Sequence, residues 1–459
     1  MSKQRAAIII LGATGDLAKR KLIPALELLH QQNRMEYPTM IVGSGRKELS
    51  HQEFRERFDA SEDFKSHLYY HRGIPGLRSF LKEMGHFCRV IIFMALPPET
   101  YASTAEALAD EGFGNRSPEG LPCDGMSPEG EQTFLIIEKP FGRDYDSARE
   151  LNRSLTARFD EQFIFRSDHY LAKEAVQNIL IFRFANSIFE PSWNNRYIES
   201  IQISAFEEIG VEDRGAYYDT AGSLRDMIQN HLFQLLCLIT MEPPVSLNSE
   251  DIRTQKINIL KTLKVESIHR GQYEGYTSEQ GVAPDSRTET FTEMKLRIDN
   301  YRWAGVPIYI RTGKSMDRKG TEIGLKLRPV PRILFNEKGR IDPNQVIIKV
   351  QPAEGIILDL AGKIPGMNVE IVNTNMSFCY RETFGGQQIP EAYQKLLQDA
   401  LRGDRTLFVS AEETETSWQV IGPWLDRGDL TSYPRGTVPP SAYGDIWIDF
   451  SRYEHFCLD

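Results

Sequence analysis

The stretch RSDHYLAKE, residues 166–174, places four chemically different side chains within six consecutive positions. Asp168 supplies a carboxylate, His169 an imidazole, Tyr170 a phenol and Lys173 an ammonium group. The last three can donate hydrogen bonds to one anion. A helix predicted to begin near His169 would add backbone N–H groups and the positive end of its dipole. The stretch therefore predicts a phosphate-binding turn with a carboxylate beside it.

Each of these residues also has an ordinary structural explanation. Asp168 immediately before a helix is a typical N-cap, because its carboxylate can accept the first free N–H groups of the helix. His169 and Tyr170, taken alone, are more often partly buried residues with hydrogen-bonded polar atoms than ligands. The stretch by itself leaves both interpretations open.

A second candidate group lies in SLRDMIQNHLFQLLCLIT, residues 223–240, where apolar residues recur at helical spacing. His231 lies about 60° from the centre of that apolar stripe on an ideal α-helix, which suits a core histidine or a half-buried base facing a pocket. Asp226 lies five positions earlier, about 140° away on a straight α-helix. Both can face one substrate only if the helix is irregular near its start, which Gly222 permits.

The elements that would position these groups follow from the apolar pattern. Residues 6–11 form a continuous apolar strand, and a glycine turn, an amphipathic helix and a second strand, TMIVGSG, come next. The runs RVIIFMALPP and TFLIIEKPFG repeat the pattern, separated by a helix around 99–109 and a Gly/Pro-rich loop at 111–132. We predict a doubly wound, Rossmann-like α/β domain over residues 1–165.

The remainder of the chain has a different character. LAKEAVQNILIFRFANSIF is helical and apolar on nearly all sides, and alternating segments then follow without regular helices between them. We predict an α+β domain over residues 166–459 with a large, mainly antiparallel sheet that serves substrate binding and dimerisation. Its predicted strands are ESIQISAFEE, TFTEMKLRID, PIYIRTG, EIGLKLRPV and NQVIIKVQP.

The glycine turn after the first strand predicts a dinucleotide site. Gly12, Gly15 and Ala18 form G-x-x-G-x-x-A, which lets backbone N–H groups approach a pyrophosphate, although such short patterns also occur in ordinary tight turns. The second strand ends in VGSGRKE and offers Arg46 and Lys47 where an NAD site usually has an acid. These cations favour a 2′-phosphate and hence NADP, with a solvated basic turn as the alternative.

Composition argues against several classes of protein. A net charge of −10 over 459 residues provides no basic surface for nucleic acid. Five sparse cysteines without a CxxC pair argue against a disulfide framework or a structural zinc and favour a reducing cytoplasm. We expect neither secretion nor membrane insertion, because no run approaches the roughly 18 apolar residues of a membrane span.

Five segments together resemble the glucose-6-phosphate dehydrogenase family, in the family's order, and the resemblance covers nearly the whole chain. They are GATGDLAKRK, IIEKPFG, RSDHYLAKE, GAYYDTAGSLRDMIQNHLFQ and VPIYIRTGK. The resemblance implies oxidation of glucose 6-phosphate to 6-phosphoglucono-lactone with NADP, the first step of the pentose phosphate pathway. NAD would be a weaker substitute, no metal would be needed, and the chain would self-associate as a dimer or tetramer.

The resemblance also implies roles for individual residues. His231 is the general base, and Asp168 fixes its tautomer. Substrate-binding residues are implied at Lys139, His169, Tyr170, Lys173, Glu207, Asp226, Lys314 and Lys319. Cofactor-binding residues are implied at Gly12, Thr14, Gly15, Asp16, Leu17, Lys21, Arg46, Ala95 and Lys139. The bond before Pro140 is a candidate cis peptide, whereas Lys314 and Lys319 taken alone would be solvated surface charges.

Three features depart from the family pattern. Ser167 stands where the family usually has an apolar residue, Ala172 stands where it usually has glycine, and the loop at 272–286 looks shortened. None removes a proposed catalytic group. They leave open altered activity, another hexose 6-phosphate as substrate, or dependence on a regulator. The alternatives to the family's activity are a paralogue that oxidises another hexose 6-phosphate and a non-catalytic NADP-binding sensor. The presence of both Asp168 and His231 favours an enzyme, because a sensor has no use for a base and its orienting acid.

Overall fold

The computed structural model describes residues 5–115, 131–331, 333, 341–385, 390–425, 427–453 and 456–457. The chain divides into two compact units. The first consists of Met1–Ala172, Pro244–Thr254 and Pro390–Trp418, and the second of Lys173–Pro243, Gln255–Ile389 and Gln419–Asp459. Two segments that lie beyond the predicted boundary at residue 165, 244–254 and 390–418, thus pack within the first unit. Most of the predicted Gly/Pro-rich loop at 111–132 lies outside the described residues.

The described residues form sixteen strands. They are β1 (Ala6–Leu11), β2 (Thr39–Gly45), β3 (Leu68–Arg72), β4 (Arg89–Met94), β5 (Gln132–Glu138), β6 (Ile164–Ser167), β7 (Ile198–Phe206), β8 (Leu263–Tyr273), β9 (Phe291–Ile298), β10 (Ile308–Gly313), β11 (Gly320–Leu327), β12 (Gln345–Gln351), β13 (Gly355–Lys363), β14 (Ile371–Cys379), β15 (Phe408–Val409) and β16 (Leu430–Tyr433).

The same residues form thirteen α-helices and two π-helical segments. The α-helices are α1 (Ile23–Gln31), α2 (His51–Arg55), α3 (Glu62–Lys65), α4 (Leu77–Met84), α5 (Tyr101–Asp110), α6 (Tyr145–Thr156), α7 (Glu174–Phe184), α8 (Gly215–Ser223), α9 (Phe233–Thr240), α10 (Ser249–Thr262), α11 (Tyr380–Thr383), α12 (Ala392–Arg402) and α13 (Ala411–Ile421). The π-helical segments are Ala18–Leu22 and Leu224–Leu232.

The first unit contains a seven-stranded sheet in the order β15-β6-β5-β4-β1-β2-β3. All its pairs are parallel except the short β15, which runs antiparallel to β6. Every residue of β1 is buried, as expected for a strand between two parallel neighbours with helices on both faces. The predicted Rossmann-like α/β fold of the N-terminal domain is confirmed.

The second unit contains a nine-stranded sheet in the order β14-β13-β12-β11-β7-β10-β9-β8-β16. Two of its eight pairs are parallel, β10 with β7 and β16 with β8, and the other six are antiparallel. The five strands predicted from sequence are present as β7, β9, β10, β11 and β12. The prediction of a mainly antiparallel sheet is confirmed, and four further strands, β8, β13, β14 and β16, extend it.

One cysteine pair differs from expectation. Cys379 at the end of β14 and Cys457 near the C-terminus form a disulfide within the second unit. A single pair is not the disulfide framework that the sequence argues against, and spacing alone does not predict it, because residues 78 positions apart in sequence become neighbours only after folding. No helix within the described residues is long and apolar enough to cross a membrane.

Candidate active site

The glycine turn forms at the C-terminal edge of β1 and β4. Gly12 adopts a positive φ of 80°, and a Cβ added to it would lie 2.2 Å from the carbonyl oxygen of Ala95. Only glycine fits this approach. The Gly15 N–H donates to the Gly12 carbonyl at 2.9 Å, which closes the turn before the helix. The turn therefore has the open backbone that a dinucleotide pyrophosphate needs, and Ala95, one of the predicted cofactor residues, lies next to it.

The other predicted cofactor residues surround this turn. Thr14 lines a cavity of about 200 Å³, and Arg46 is exposed immediately after β2. Asp16 forms an exposed ion pair with Arg20 at 2.7 Å. Lys21 lies 3.6 Å from a carboxylate oxygen of Glu391, and Leu17 precedes the π-helical turn at Ala18–Leu22. All of these residues belong to the first unit.

The segment EKPFG follows β5. The Lys139–Pro140 bond is cis, as the sequence predicts. The preceding Glu138 is a group that sequence reasoning missed, although one of its carboxylate oxygens is fully buried. Burial is the main cause that raises the pKa of Glu138 to about 7; the nearby charge of Asp168 adds to the rise, and Ser167 opposes it. Strand register explains this proximity, because Glu138 of β5 pairs with Ser167 of β6.

The stretch RSDHYLAKE does not begin a helix at His169. The helix α7 begins at Glu174, with Lys173 as its N-cap, so the predicted helix start is wrong. The physical reason is that Asp168 caps its own turn. Its carboxylate accepts the Tyr170 N–H at 3.0 Å and its carbonyl accepts the Leu171 N–H at 3.1 Å.

The individual residues of this stretch have different environments. Arg166 is fully buried and pairs with Glu161 at 2.7 Å, so it is structural. The rings of His169 and Tyr170 pack edge to face with centroids 5.2 Å apart. Lys173 belongs to the second unit, where its charge partly offsets the rise in the pKa of Glu354 that burial causes.

His231 and Asp226 share one face of an irregular helix in the second unit. Gly222, with φ 64°, breaks the helix, and Leu224–Leu232 is then π-helical. Residues five apart in a helix closed by i→i+5 hydrogen bonds lie nearly above one another, so the 140° angle expected for an α-helix does not apply. His231 is 1% exposed and Asp226 7% exposed. The hydroxyl of Tyr217 donates to the Asp226 carboxylate at 3.3 Å.

A buried ion pair fixes the start of this helix. Glu289 accepts the Leu224 N–H at 3.1 Å and pairs with Arg270 at 2.7 Å. A Cβ added at Gly222 would lie 2.3 Å from the same carboxylate. Sequence reasoning missed Glu289 because no local signal links it to residue 224, which is 65 positions away.

Two further substrate candidates, Glu207 and Lys314, lie near Tyr218. Lys314 forms an ion pair with Glu207, and its ammonium group lies 5.1 Å from the centre of the Tyr218 ring. Burial raises the pKa of Tyr218, and the charges of Asp226 and Glu207 raise it further. The structure thus brings two carboxylates and one ammonium group together, a set that suits sugar hydroxyls. Lys319 is exposed between β10 and β11, and no described contact joins it to this cluster.

Comparison with known proteins identifies the family. Residues 9–178 match the family model described as glucose-6-phosphate dehydrogenase, NAD binding domain, and residues 180–452 match the model of the C-terminal domain of the same family. The chain belongs to the glucose-6-phosphate dehydrogenase family. The recognition based on five sequence segments is confirmed.

Individual relatives of the glucose-6-phosphate dehydrogenase family are similar over most of their length. Glucose-6-phosphate 1-dehydrogenase of Bacillus subtilis (strain 168) is 39% identical, and the match covers 97% of each chain. The chloroplastic enzyme of Spinacia oleracea is 36% identical over 98% of this chain and 83% of its own. A solved glucose-6-phosphate dehydrogenase in complex with its substrate glucose 6-phosphate is 34% identical, with a TM-score of 0.86 and 96% coverage of each chain.

Proposed function

We propose that this chain oxidises β-glucose 6-phosphate at its anomeric carbon, with NADP as the hydride acceptor, and releases 6-phosphoglucono-lactone. The observation that carries the proposal is the buried pair of His231 and Asp226 on one face of the π-helical segment. A base and a hydroxyl acceptor can then meet the same sugar. Relatives of known activity that match both domains support the same substrate.

His231 is the proposed general base. Its imidazole takes the proton of the anomeric hydroxyl while hydride leaves the same carbon. Asp168 accepts a hydrogen bond from the other ring nitrogen, which fixes the tautomer and stabilises the imidazolium that forms. The bound nicotinamide supplies the hydride acceptor. The Asp168–His231 pairing is part of the proposal.

The sugar is held by residues with complementary chemistry. Glu207 and Asp226 accept hydrogen bonds from sugar hydroxyls, and the ion pair with Lys314 keeps Glu207 oriented. The 6-phosphate is bound by the donors His169, Tyr170 and Lys173, with Lys319 as a further, more distant cation. Lys139 contacts both sugar and cofactor from the turn after β5. These assignments rest on the family resemblance and on the side-chain chemistry.

NADP is proposed over NAD because the end of β2 is basic. Arg46 follows the strand directly, where a carboxylate would hold the 2′-hydroxyl of NAD. NAD is expected to serve as a weaker substitute. The open turn at Gly12 and Gly15 accommodates the pyrophosphate of either dinucleotide.

The test is a steady-state assay that follows the absorbance of reduced nicotinamide. Glucose, galactose and glucosamine 6-phosphates are each supplied with NADP and with NAD. The proposal requires the highest kcat/KM for glucose 6-phosphate with NADP. Preference for another hexose 6-phosphate would indicate a paralogue, and binding of NADP without turnover of any sugar would indicate a sensor.

We also propose that the chain self-associates as a dimer or tetramer. The strand β14 carries exposed apolar residues, among them Val372 and Met376, at the edge of the nine-stranded sheet. An exposed sheet edge with apolar side chains favours burial against a second surface. Sedimentation velocity measures the assembly directly, and a monomer at micromolar concentration would contradict this part of the proposal.

A further inference from the structure

A cavity of about 200 Å³ lies beside the glycine turn of the first unit. Ala13 and Thr14 of the turn and Lys19 of the following helix line one side. Arg57 and Phe58, which follow α2, line the other side. Neither Arg57 nor Lys19 was singled out from the sequence. Two cationic side chains, Lys19 and Arg57, therefore line this cavity beside the glycine turn.

The backbone that carries Arg57 is fixed by packing. The helix α2 begins with a capping box between Ser50 and Glu53. Phe54 is fully buried against Gly43 of β2, where an added Cβ would lie 2.1 Å from the ring. Phe58 then packs edge to face on Phe54 with centroids 5.1 Å apart. Because these contacts anchor the segment, Arg57 is held near the C-terminal end of β2.

The end of β2 is where a parallel α/β domain meets the adenosine ribose of a dinucleotide. At Gly45, the last residue of β2, an added Cβ would lie 3.1 Å from the Tyr70 hydroxyl and 3.7 Å from the Thr14 hydroxyl. The guanidinium groups of Arg57 and Arg72 lower the pKa of Tyr70, although burial raises it overall. Arg57 therefore lies close enough to Tyr70, beside the end of β2, to affect its pKa, and it lines the same cavity as Thr14 of the glycine turn.

The neighbouring acids are engaged by other cations. Asp16 pairs with Arg20 at 2.7 Å, and Glu48 pairs with Arg72 at 3.2 Å. Among the residues that the structure describes, Arg57 forms no ion pair. A cavity with two cations and no free carboxylate in its lining selects an anion.

We infer that Arg57 binds the 2′-phosphate of NADP as a second cation, together with Arg46. The inference rests on the proposed use of NADP and goes beyond it by naming the residue that supplies additional selectivity. A phosphate dianion offers three oxygens, so two guanidinium groups can bind it from different sides. Arg46 reaches it from the end of β2, and Arg57 reaches it across the cavity.

The experiment measures binding to the full-length protein without turnover. Isothermal titration calorimetry compares adenosine 2′,5′-bisphosphate with 5′-AMP, which lacks the 2′-phosphate. The variants are Arg57→Ala, Arg57→Lys, Arg46→Ala and the double alanine variant. Arg20→Ala is the matched control, because it removes one exposed positive charge nearby without changing the cavity lining.

We expect Arg57→Ala to weaken adenosine 2′,5′-bisphosphate by roughly 10-fold to 100-fold, the range for a hydrogen bond to a charged group. Affinity for 5′-AMP should change by less than about 2-fold. Arg57→Lys should give an intermediate loss of affinity for adenosine 2′,5′-bisphosphate, because lysine keeps the positive charge but cannot donate two parallel hydrogen bonds to the phosphate. The double variant should lose less than the product of the single losses, since both cations bind one phosphate.

Four results would overturn the inference. Equal losses for both ligands would mean that Arg57 supports the adenosine site as a whole, and no loss for either ligand would mean that it lies outside the site. Wild-type protein that binds the two ligands equally would refute the proposed NADP preference itself, and this inference with it. Wild-type discrimination that survives in Arg57→Ala would leave the proposed function intact and refute only the role of Arg57.

Discussion

The substitution Glu289→Gln tests whether a buried charge holds the irregular helix that carries His231. Gln keeps the size of the side chain, and its carbonyl oxygen can still accept the Leu224 N–H. The substitution removes the negative charge that compensates Arg270. Both side chains of this pair are nearly inaccessible, 2% exposed for Glu289 and 6% for Arg270.

Removing one partner of a buried ion pair typically costs 3–5 kcal/mol, because the other charge stays buried without compensation. Arg270 also donates to the carbonyl oxygens of Arg427 and Arg287, and these bonds remain in the variant. We therefore expect the unfolding free energy of the second unit to fall by about 3 kcal/mol, near the lower end of that range. The start of the helix should loosen as well, so kcat should fall although Glu289 touches no proposed substrate group.

Urea unfolding followed by tryptophan fluorescence measures the free energy, and hydrogen exchange of peptides spanning residues 218–232 measures the local opening. The matched control is Glu279→Gln in the same unit. Its partner Arg435 is half exposed, so solvent screens the pair, which should contribute less than about 1 kcal/mol. Equal losses for the two variants would refute the reasoning. So would a large loss of stability without faster exchange in that peptide.

Three further outcomes follow from the structure. His231→Asn should lower kcat by roughly 10³-fold to 10⁵-fold with little change in sugar affinity measured by calorimetry. The control His269→Asn, at an exposed position, should leave kcat unchanged. A His231 variant that keeps most of its turnover would exclude His231 as the base. Gly12→Ala should abolish measurable NADP binding, because the new methyl group would lie 2.2 Å from the Ala95 carbonyl oxygen; unchanged affinity would contradict the close approach. Glu138, with a pKa raised from 4.5 to about 7, binds a proton more tightly in the folded state than in the unfolded state, so stability should fall as pH rises from about 4.5 to 7, by up to about 3 kcal/mol. Thermal unfolding of Glu138→Gln should show a flatter pH profile, and an identical profile would refute the assignment.

The sheets differ in how much of them the sequence predicts. The strands β1, β2, β4 and β5 are buried on both faces, and each contains an uninterrupted run of apolar residues. The strand β14 has the alternating sequence IVNTNMSFC but was not predicted, and its apolar residues Val372 and Met376 are exposed and not part of a buried core. The four-residue β16 exists through its pairing with β8, which no local pattern encodes.

In the site as well, some features can be predicted from the local sequence and others depend on tertiary contacts. Gly222 correctly indicates an irregular helix, but the sequence does not distinguish a π-helical segment from an α-helix with a loose start. The start of α7 was misplaced because Asp168 has the same preference for a helix N-cap and for an isolated turn. Arg57 and Glu138 were missed because only strand register and packing bring them to the site.

Two departures from the family pattern have different consequences. Ser167 lies opposite Glu138 in the strand register, and its hydroxyl lowers the pKa of that carboxyl against the effect of burial. An apolar residue at 167 would remove this contribution and keep Glu138 protonated to higher pH. Ser167 therefore affects the titration of a buried neighbour and removes no catalytic group. Nothing in the structure explains why Ala172 replaces glycine.

The irregular helix connects the stability of the second unit to its proposed chemistry. A π-helical segment is rare because it packs its own backbone less well than an α-helix, so the surrounding structure must hold it in place. Here Gly222 supplies a backbone conformation open to few residues, and Glu289 with Arg270 supplies a buried electrostatic anchor. The same contacts that maintain the irregularity bring Asp226 onto the face of His231. A variant that restored regular α-helical geometry would separate the two side chains by about 140°, and the proposed base and the sugar-binding carboxylate could no longer serve one substrate.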